Sequence, residues 1–229
     1  MTQQDKFAII VAGGSGTRMS SNIPKQFIEI GEKPILMHTL EAFDRYDAEI
    51  KIILVLPRSE QSVWEDLIDR HSFKVLHRII DGGNSRFSSV KNGLSAIPDG
   101  SQGLVAIHDG VRPFVSSAMI DRSFEMAASS GNAIAAVVLK ESIRKIADES
   151  SQHVPRTGYR LIQTPQTFAV AEIKAAFKQE EKETFTDDAS VLEANGGKIH
   201  LYEGDYRNIK ITTPDDLLWA EAFLAQSNQ

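Results

Sequence analysis

The sequence predicts an α/β protein with Rossmann-like layering: a mostly parallel twisted sheet with helices on both faces, plus a protruding β-arm. Three observations predict it. Short apolar runs rich in β-branched residues alternate with stretches of helical periodicity, the pattern of successive βαβ units. Several runs end in glycine turns, which puts irregular, polar segments at the carboxyl ends of strands, where open sheets of this kind bind ligands. After Leu139 the alternation gives way to two short segments that read as a ribbon standing off the sheet.

The 229 residues are 41% apolar, enough for a sizeable core, and no Pro/Ser/Gly-rich linker divides them. One domain over 1–229 is therefore expected, with the arm at about 139–160. A formal net charge of -6 and the lack of a basic run argue against nucleic acid as the main partner. The chain has no cysteine, so disulfides and Cys-based zinc sites are excluded. Polar residues follow Met1 and no apolar stretch approaches about 18 residues, so neither a signal peptide nor a membrane partner is expected and the chain reads as cytoplasmic.

Phe7-Ala8-Ile9-Ile10-Val11 is a buried strand that breaks into Ala12-Gly13-Gly14-Ser15-Gly16-Thr17-Arg18-Met19, followed by Pro24-Lys25-Gln26. Glycines let several backbone N–H groups face one anion. A Walker loop is excluded because no Gly-Lys-Ser/Thr occurs, and a dinucleotide fingerprint because Met19 stands where a third small residue is needed. What remains is a loop carrying its own cations, Arg18 and Lys25, which suits a polyphosphate; the bland alternative is a tight turn with two solvated basic side chains.

Pro34 opens a helix whose Leu36, Leu40 and Phe43 share one face. A strand from Ile50 to Leu56, a helix from about Ser59 to Arg70 and a strand from about Lys74 to Ile80 continue the alternation. The last runs into a second glycine turn, Asp81-Gly82-Gly83-Asn84-Ser85-Arg86-Phe87-Ser88-Ser89, feeding a helix through Val90, Leu94 and Ile97. Serine capping alone accounts for such a turn. Leu104 to Ile107 is a strand ending in His108-Asp109-Gly110-Val111-Arg112-Pro113. Asp109 there suits a Mg²⁺ ligand, since that ion takes one or two carboxylates beside phosphate oxygens. Arg112 suits a bidentate phosphate clamp. An Asp109–Arg112 ion pair is the alternative. His108 reads as structural.

A helix from about Ser116 to Ser129 precedes a strand from Ala133 to Leu139. Ser142 to Ala147 and Gln152 to Arg160 then form the ribbon. Gln163-Thr164-Pro165-Gln166-Thr167-Phe168 brings the chain back to the core and introduces a helix from about Ala171. Thr186-Asp187-Asp188-Ala189-Ser190 opens another, with Thr186 or Asp187 as its cap. Lys198 to Glu203 and Asn208 to Thr212 are short strands, the second placing Lys210 opposite Ile209 and Ile211, and Pro214 begins the closing helix.

Ala-x-Gly-x-Gly-x-Arg-Met with Pro-Lys-Gln, His-Asp-x-x-Arg-Pro and Asn-Ile-Lys-x-Thr resembles the nucleotidyltransferases that make nucleoside-diphosphate sugars and alditols. Among these the chain is most similar to the 2-C-methyl-D-erythritol 4-phosphate cytidylyltransferases of the non-mevalonate isoprenoid pathway, from Ala12 to Pro214 and in matching order. The resemblance implies CTP as substrate, cradled by Ala12, Gly13, Gly14, Ser15 and Gly16, with Gly83, Arg86 and Ser89 on base and ribose. It implies catalytic roles for Arg18, Lys25, Arg156 and Lys210, an acceptor phosphate held with Arg112, Ser142 and Thr186, and Mg²⁺ or another divalent cation on Asp109. It also implies a homodimer in which the arm, with Ser142 and Arg156, completes the partner's site. Ser142 stands where the family usually has Thr, and Asn84 where it often has Asp. Ribitol-5-phosphate cytidylyltransferases share the cradle, but Thr186 to Ser190 and Arg86 to Val90 look closer to the methylerythritol enzymes. A catalytically silent nucleotide-binding protein of the same fold is the remaining alternative, and the presence of both Arg18 and Lys25 speaks against it.

Overall fold

The computed structural model describes residues 4–14 and 23–227. Strand β1 (Lys6–Val11) sends Ala8 and Ile10 into one core and Phe7, Ile9 and Val11 into another. Both faces are covered, which is why the run is continuously apolar rather than alternating. A small antiparallel pair, β2 (Glu29–Ile30) and β3 (Lys33–Pro34), leads into helix α1 (Ile35–Tyr46). The alternation continues through β4 (Lys51–Leu56), α2 (Gln61–Arg70), β5 (Arg78–Asp81), α3 (Arg86–Ser95), β6 (Leu104–Asp109), α4 (Ser117–Ser130) and β7 (Asn132–Val138).

Beyond the break come β8 (Ile143–Ala147), β9 (Ser150–Val154), β10 (Arg160–Ala169), α5 (Val170–Ala176), α6 (Asp188–Ala194), β11 (Leu201–Glu203) and α7 (Pro214–Ser227). Seven strands make one sheet in the order β11-β7-β10-β6-β1-β4-β5. All the pairings are parallel except those of β10, which runs antiparallel to both β6 and β7. Helices α1, α2 and α4 cover one face through Leu40, Trp64 and Phe124; α3, α5 and α6 cover the other through Leu94, Ile173 and Leu192. The expected α/β class is therefore the observed one. On α3 a Cβ at Gly93 would meet Ile9 at 2.8 Å and Val55 at 2.9 Å, so glycine there lets the helix lie directly on β1 and β4.

Four expected elements differ. Gln163 to Phe168, expected only to bring the chain back to the core, is the inner part of β10; Pro165, which offers no N–H to a ladder, lies where the register slips between Ile162 and Gln166. The strand expected from Lys74 starts only at Arg78, where its pairing to β4 begins, and it is an edge strand paired to β4 alone; just ahead of it the Trp64 indole N–H donates to His77 Nε2 at 3.0 Å. Asn208 to Thr212 is irregular. Its Ile211 N–H donates to the Val111 carbonyl at 2.9 Å, while Thr212 and Thr213 N–H groups cap onto Asp216. The ribbon's return strand is Ser150–Val154, followed by a 3-10 turn at Arg156–Gly158.

Candidate active site

The carboxyl ends of β1 and β6 and the turn before α3 surround a cavity of about 230 Å³. Ala12, Gly13, Gly14 and Lys25 line it from the first motif, and Gly83, Arg86 and Ser89 from the second. Asp109 and Lys210 also line it. Sequence segments spread from residue 12 to residue 210 thus converge at one strand end, as the topology requires. Ser15, Gly16 and Arg18 lie outside the described residues.

The first motif is anchored from beneath. Gln26 is fully buried, and its Nε2 donates to the Ala12 carbonyl at 2.9 Å and also to the Glu60 carboxylate. Phe27 beside it stacks on Trp64. Lys25 therefore projects from a short 3-10 turn whose next two residues are core. Its Nζ lies 3.5 Å from where a Cβ of Gly14 would be, and Gly14 has φ 151°, a backbone conformation that side-chain-bearing residues rarely adopt.

The second motif is a capping box. Ser85 Oγ accepts from the Ser88 N–H at 3.0 Å, and Ser88 Oγ accepts from the Ser85 N–H at 2.9 Å. Ser89 Oγ accepts from the Gly83 N–H at 3.0 Å, which fixes the turn. A Cβ on Gly83 would come within 2.2 Å of Ser88 Oγ, so the turn closes too tightly for any other residue.

Asp109 is the electrostatic hub. Its carboxylate meets Lys210 Nζ at 3.1 Å, Arg112 Nε at 3.2 Å and Arg86 Nε at 3.8 Å. Burial pushes its pKa up, but the charges of Lys210, Arg86 and Arg112 outweigh burial and hold the carboxyl well below the usual range. It is an anion at any physiological pH. Its N–H donates to Thr164 Oγ1 at 3.1 Å, Asn208 Nδ2 donates to the Thr164 carbonyl at 2.7 Å, and Arg112 Nη1 donates to the Asn208 carbonyl at 2.8 Å. These bonds close a ring that fixes the carboxylate. His108 is buried and neutral, its pKa lowered by burial to about 4, with Nε2 against the Arg112 carbonyl at 3.1 Å; it is structural, as the sequence suggests.

Not every expected residue reaches the cavity. Arg112 is buried behind Asp109 and outside the lining, so its guanidinium works on Asp109 and the Asn208 carbonyl instead of offering an open fork to a phosphate. Ser142 and Arg156 are exposed on the arm, where Arg156 donates to the Lys140 carbonyl, and neither lines the chain's own cavity. Thr186 is exposed; the cap of α6 is Asp187, whose Oδ1 accepts from the Ser190 N–H at 2.9 Å. Sequence reasoning missed Asp188, which accepts from Arg86 Nη1 and Nη2 at 2.8 and 2.6 Å, as well as Gln26, Thr164 and Asn208 as supports. Each lies within a quoted motif, yet nothing local announces its partner.

Among the described residues no group of three His, Cys, Asp or Glu side chains could hold a metal unaided. A lone, permanently ionised carboxylate at the cavity does fit a Mg²⁺ ion whose other ligands are phosphate oxygens and water.

Gly13 and Gly14, the glycine turn before α3 and two lysines around a fixed carboxylate at the end of a mostly parallel sheet define a nucleotidyltransferase, a site that binds a polyphosphate and stabilises charge moving across it. The model of the 2-C-methyl-D-erythritol 4-phosphate cytidylyltransferase family matches residues 7–226, and the chain belongs to that family. A relative of that name from Bacteroides thetaiotaomicron is 53% identical over 94% of this chain and 98% of its own. One from Porphyromonas gingivalis is 44% identical over 97% and 99%. The crystal structure of the 4-diphosphocytidyl-2C-methyl-D-erythritol synthase of Anaerococcus prevotii superposes with TM-score 0.82 at 32% identity, covering 97% of this chain and 96% of that one. That of the Thermus thermophilus cytidylyltransferase does so with TM-score 0.77 at 30% identity, covering 97% and 100%.

Proposed function

We infer that the protein transfers the cytidylyl group of CTP to 2-C-methyl-D-erythritol 4-phosphate, releasing diphosphate and forming 4-CDP-2-C-methyl-D-erythritol for isoprenoid precursor synthesis. Family membership supports the acceptor, and the observation that carries the chemistry is the convergence of Lys25, Lys210 and two glycine turns on Asp109. The acceptor phosphate, largely a dianion near pH 7, attacks the α-phosphorus through one of its oxygens. The bond from that phosphorus to the bridging oxygen of the β-phosphate breaks, and diphosphate leaves with the electron pair. No general base is needed. The protein's work is positioning and charge: Ala12 to Gly16 cradle the triphosphate, Arg18 and Lys25 meet charge growing on the five-coordinate phosphorus, and Gly83, Arg86 and Ser89 hold the cytidine. Lys210 faces the acceptor phosphate, Arg112 keeps Asp109 and the Asn208 carbonyl beside it, and Thr186 approaches from the start of α6. Asp109 would hold a divalent cation such as Mg²⁺ bound with CTP, and that cation would supply positive charge against the triphosphate.

The chain acts as one catalytic unit over 1–229, as a homodimer in the cytoplasm, and the arm serves the partner's site with Ser142 and Arg156. Two observations support the dimer: both residues are exposed away from their own cavity, and Val138, Tyr159, Leu161, Ile162 and Leu201 stand exposed where the arm leaves the sheet. Among the described residues no helix is long and apolar enough to cross a membrane. The deciding assay is diphosphate release from CTP, ATP, UTP and GTP with each of two acceptors, 2-C-methyl-D-erythritol 4-phosphate and ribitol 5-phosphate. Release from CTP with the first alone is the expected result. A preference for ribitol 5-phosphate reassigns the acceptor, and no release from any nucleotide removes the enzyme reading.

A further inference from the structure

Asp188 has no place among the groups that touch substrate in the mechanism above, yet it is fully buried at the first turn of α6. A buried carboxylate is costly unless paired. Its partner is Arg86, 102 residues earlier, held by two parallel bonds of 2.8 and 2.6 Å. This fork-to-fork geometry fixes a guanidinium in plane as well as in place. Arg86 lines the cavity, and its Nε is only 3.8 Å from Asp109, whose carboxylate already faces Lys210 and Arg112. Two carboxylates therefore compete for one guanidinium, and the short bidentate contact goes to Asp188. On the other side, Asp188 follows the α6 cap Asp187 and stands two residues after Thr186.

We propose that Asp188 is a positioning residue for substrate binding: it fixes the Arg86 guanidinium at the cavity and ties the turn before α3 to the start of α6. In its absence the guanidinium has Asp109 as its nearest carboxylate and moves onto it, leaving the cytidine side of the cavity and loosening the segment that carries Thr186. The proposal rests on the reading of this cavity as the CTP site.

The test is CTP affinity by calorimetry with Mg²⁺ present, together with steady-state kinetics, for the full-length parent, Asp188→Asn, Arg86→Gln and the double variant. Asp188→Asn should weaken CTP binding roughly ten-fold or more, as expected when one partner of a buried charge pair is removed. It should raise KM for both CTP and the acceptor while kcat changes less, whereas a merely structural role would lower the active fraction and leave KM alone. The double variant should bind no more weakly than the worse single one, because both substitutions break the same link. Asp188→Glu covers the case in which Asp188→Asn does not fold: it keeps the charge but displaces the guanidinium, and it too should raise KM for CTP. Parent-like CTP affinity in a folded Asp188→Asn or, failing that, in Asp188→Glu overturns the proposal, as do additive losses in the double variant. A parent that binds no CTP removes the reading of the cavity instead.

Discussion

His108 offers a test whose size follows from its surroundings. The imidazole is completely buried beside Phe43, and burial lowers its pKa from the usual 6.5 to about 4. The unfolded chain therefore binds a proton below about pH 6.5 that the native protein refuses until about pH 4. Stability rises with pH wherever the unfolded state binds more protons, so this residue subtracts stability as pH falls through that window. At about 1.36 kcal/mol per pH unit the full loss is about 3.4 kcal/mol. His108→Gln keeps an amide donor for the Arg112 carbonyl and does not titrate. Urea unfolding at intervals from pH 7.5 to 4.5 should show a steeper acid-side decline for the parent than for His108→Gln, the gap approaching about 2 to 3 kcal/mol at the acid end. His38 and His77, also lowered by burial, contribute equally to both proteins and cancel in the difference. Parallel stability curves would refute the assignment of a neutral, proton-refusing His108.

Lys25→Ala should lower turnover roughly 100- to 1000-fold with little change in CTP affinity, since its cation meets charge that grows only in the transition state; a raised KM with unchanged kcat counts against that role. Asp109→Asn should need far more Mg²⁺ for half-maximal activity, and a titration that overlays the parent's would show that the carboxylate is not the ligand. Glu60→Ala, which removes the carboxylate beneath Gln26, should lower kcat, and Glu60→Gln, which keeps a carbonyl acceptor, should restore much of it; equal rates in all three would mean that the Gln26 anchor does not position Lys25. For the arm, Lys25→Ala and Arg156→Ala proteins, each nearly inactive alone, should recover about a quarter of parent activity after subunit exchange, because half the molecules become heterodimers with one intact site each. No recovery after confirmed exchange would mean that Arg156 acts in its own subunit's site or that the arm does not serve the partner.

Legibility followed contiguity. The apolar run of β1, the glycine turn before α3 and the strand before Asp109 are local patterns, and each appears where its pattern placed it. β10 was hidden because Pro165 interrupts the run, and the short strand expected at Asn208 to Thr212 is replaced by a cap on Asp216 that alternation does not report. In the site, Lys25, Asp109 and Lys210 were legible as charged residues inside motifs, and all three meet the same cavity. Direction was not legible. His-Asp-x-x-Arg-Pro is compatible with a phosphate clamp and with an internal ion pair, and only packing turns Arg112 inward to Asn208. Partnership over 102 residues, as between Arg86 and Asp188, leaves no local trace, and Asp188 reads from sequence as one more helix-start carboxylate.

The distribution of charge explains why two carboxylates belong in a site built for anions. The protein carries a formal net charge of -6, yet Lys25, Arg86, Asp109 and Lys210 meet at one cavity, with Arg112 directly behind. Cations gathered this closely repel one another in the absence of substrate, and unanchored side chains would swing apart. Asp188 fixes Arg86, and Asp109 gathers Lys210 and Arg112, so Lys210 and the turn before α3 are in place before phosphate arrives. The carboxylates do not cancel the site's charge, because among the described residues Lys25, Arg86, Arg112 and Lys210 stand against Asp109 and Asp188. Donors held in place beforehand need no reorganisation as charge develops, which is the condition for electrostatic catalysis of a reaction that has no covalent step on the protein. Removing Asp109 would therefore not strengthen the grip on phosphates by freeing charge. It would release Lys210 and take from Arg112 one of its two anchors, leaving the Asn208 carbonyl, and the loss of preorganisation would outweigh the added attraction.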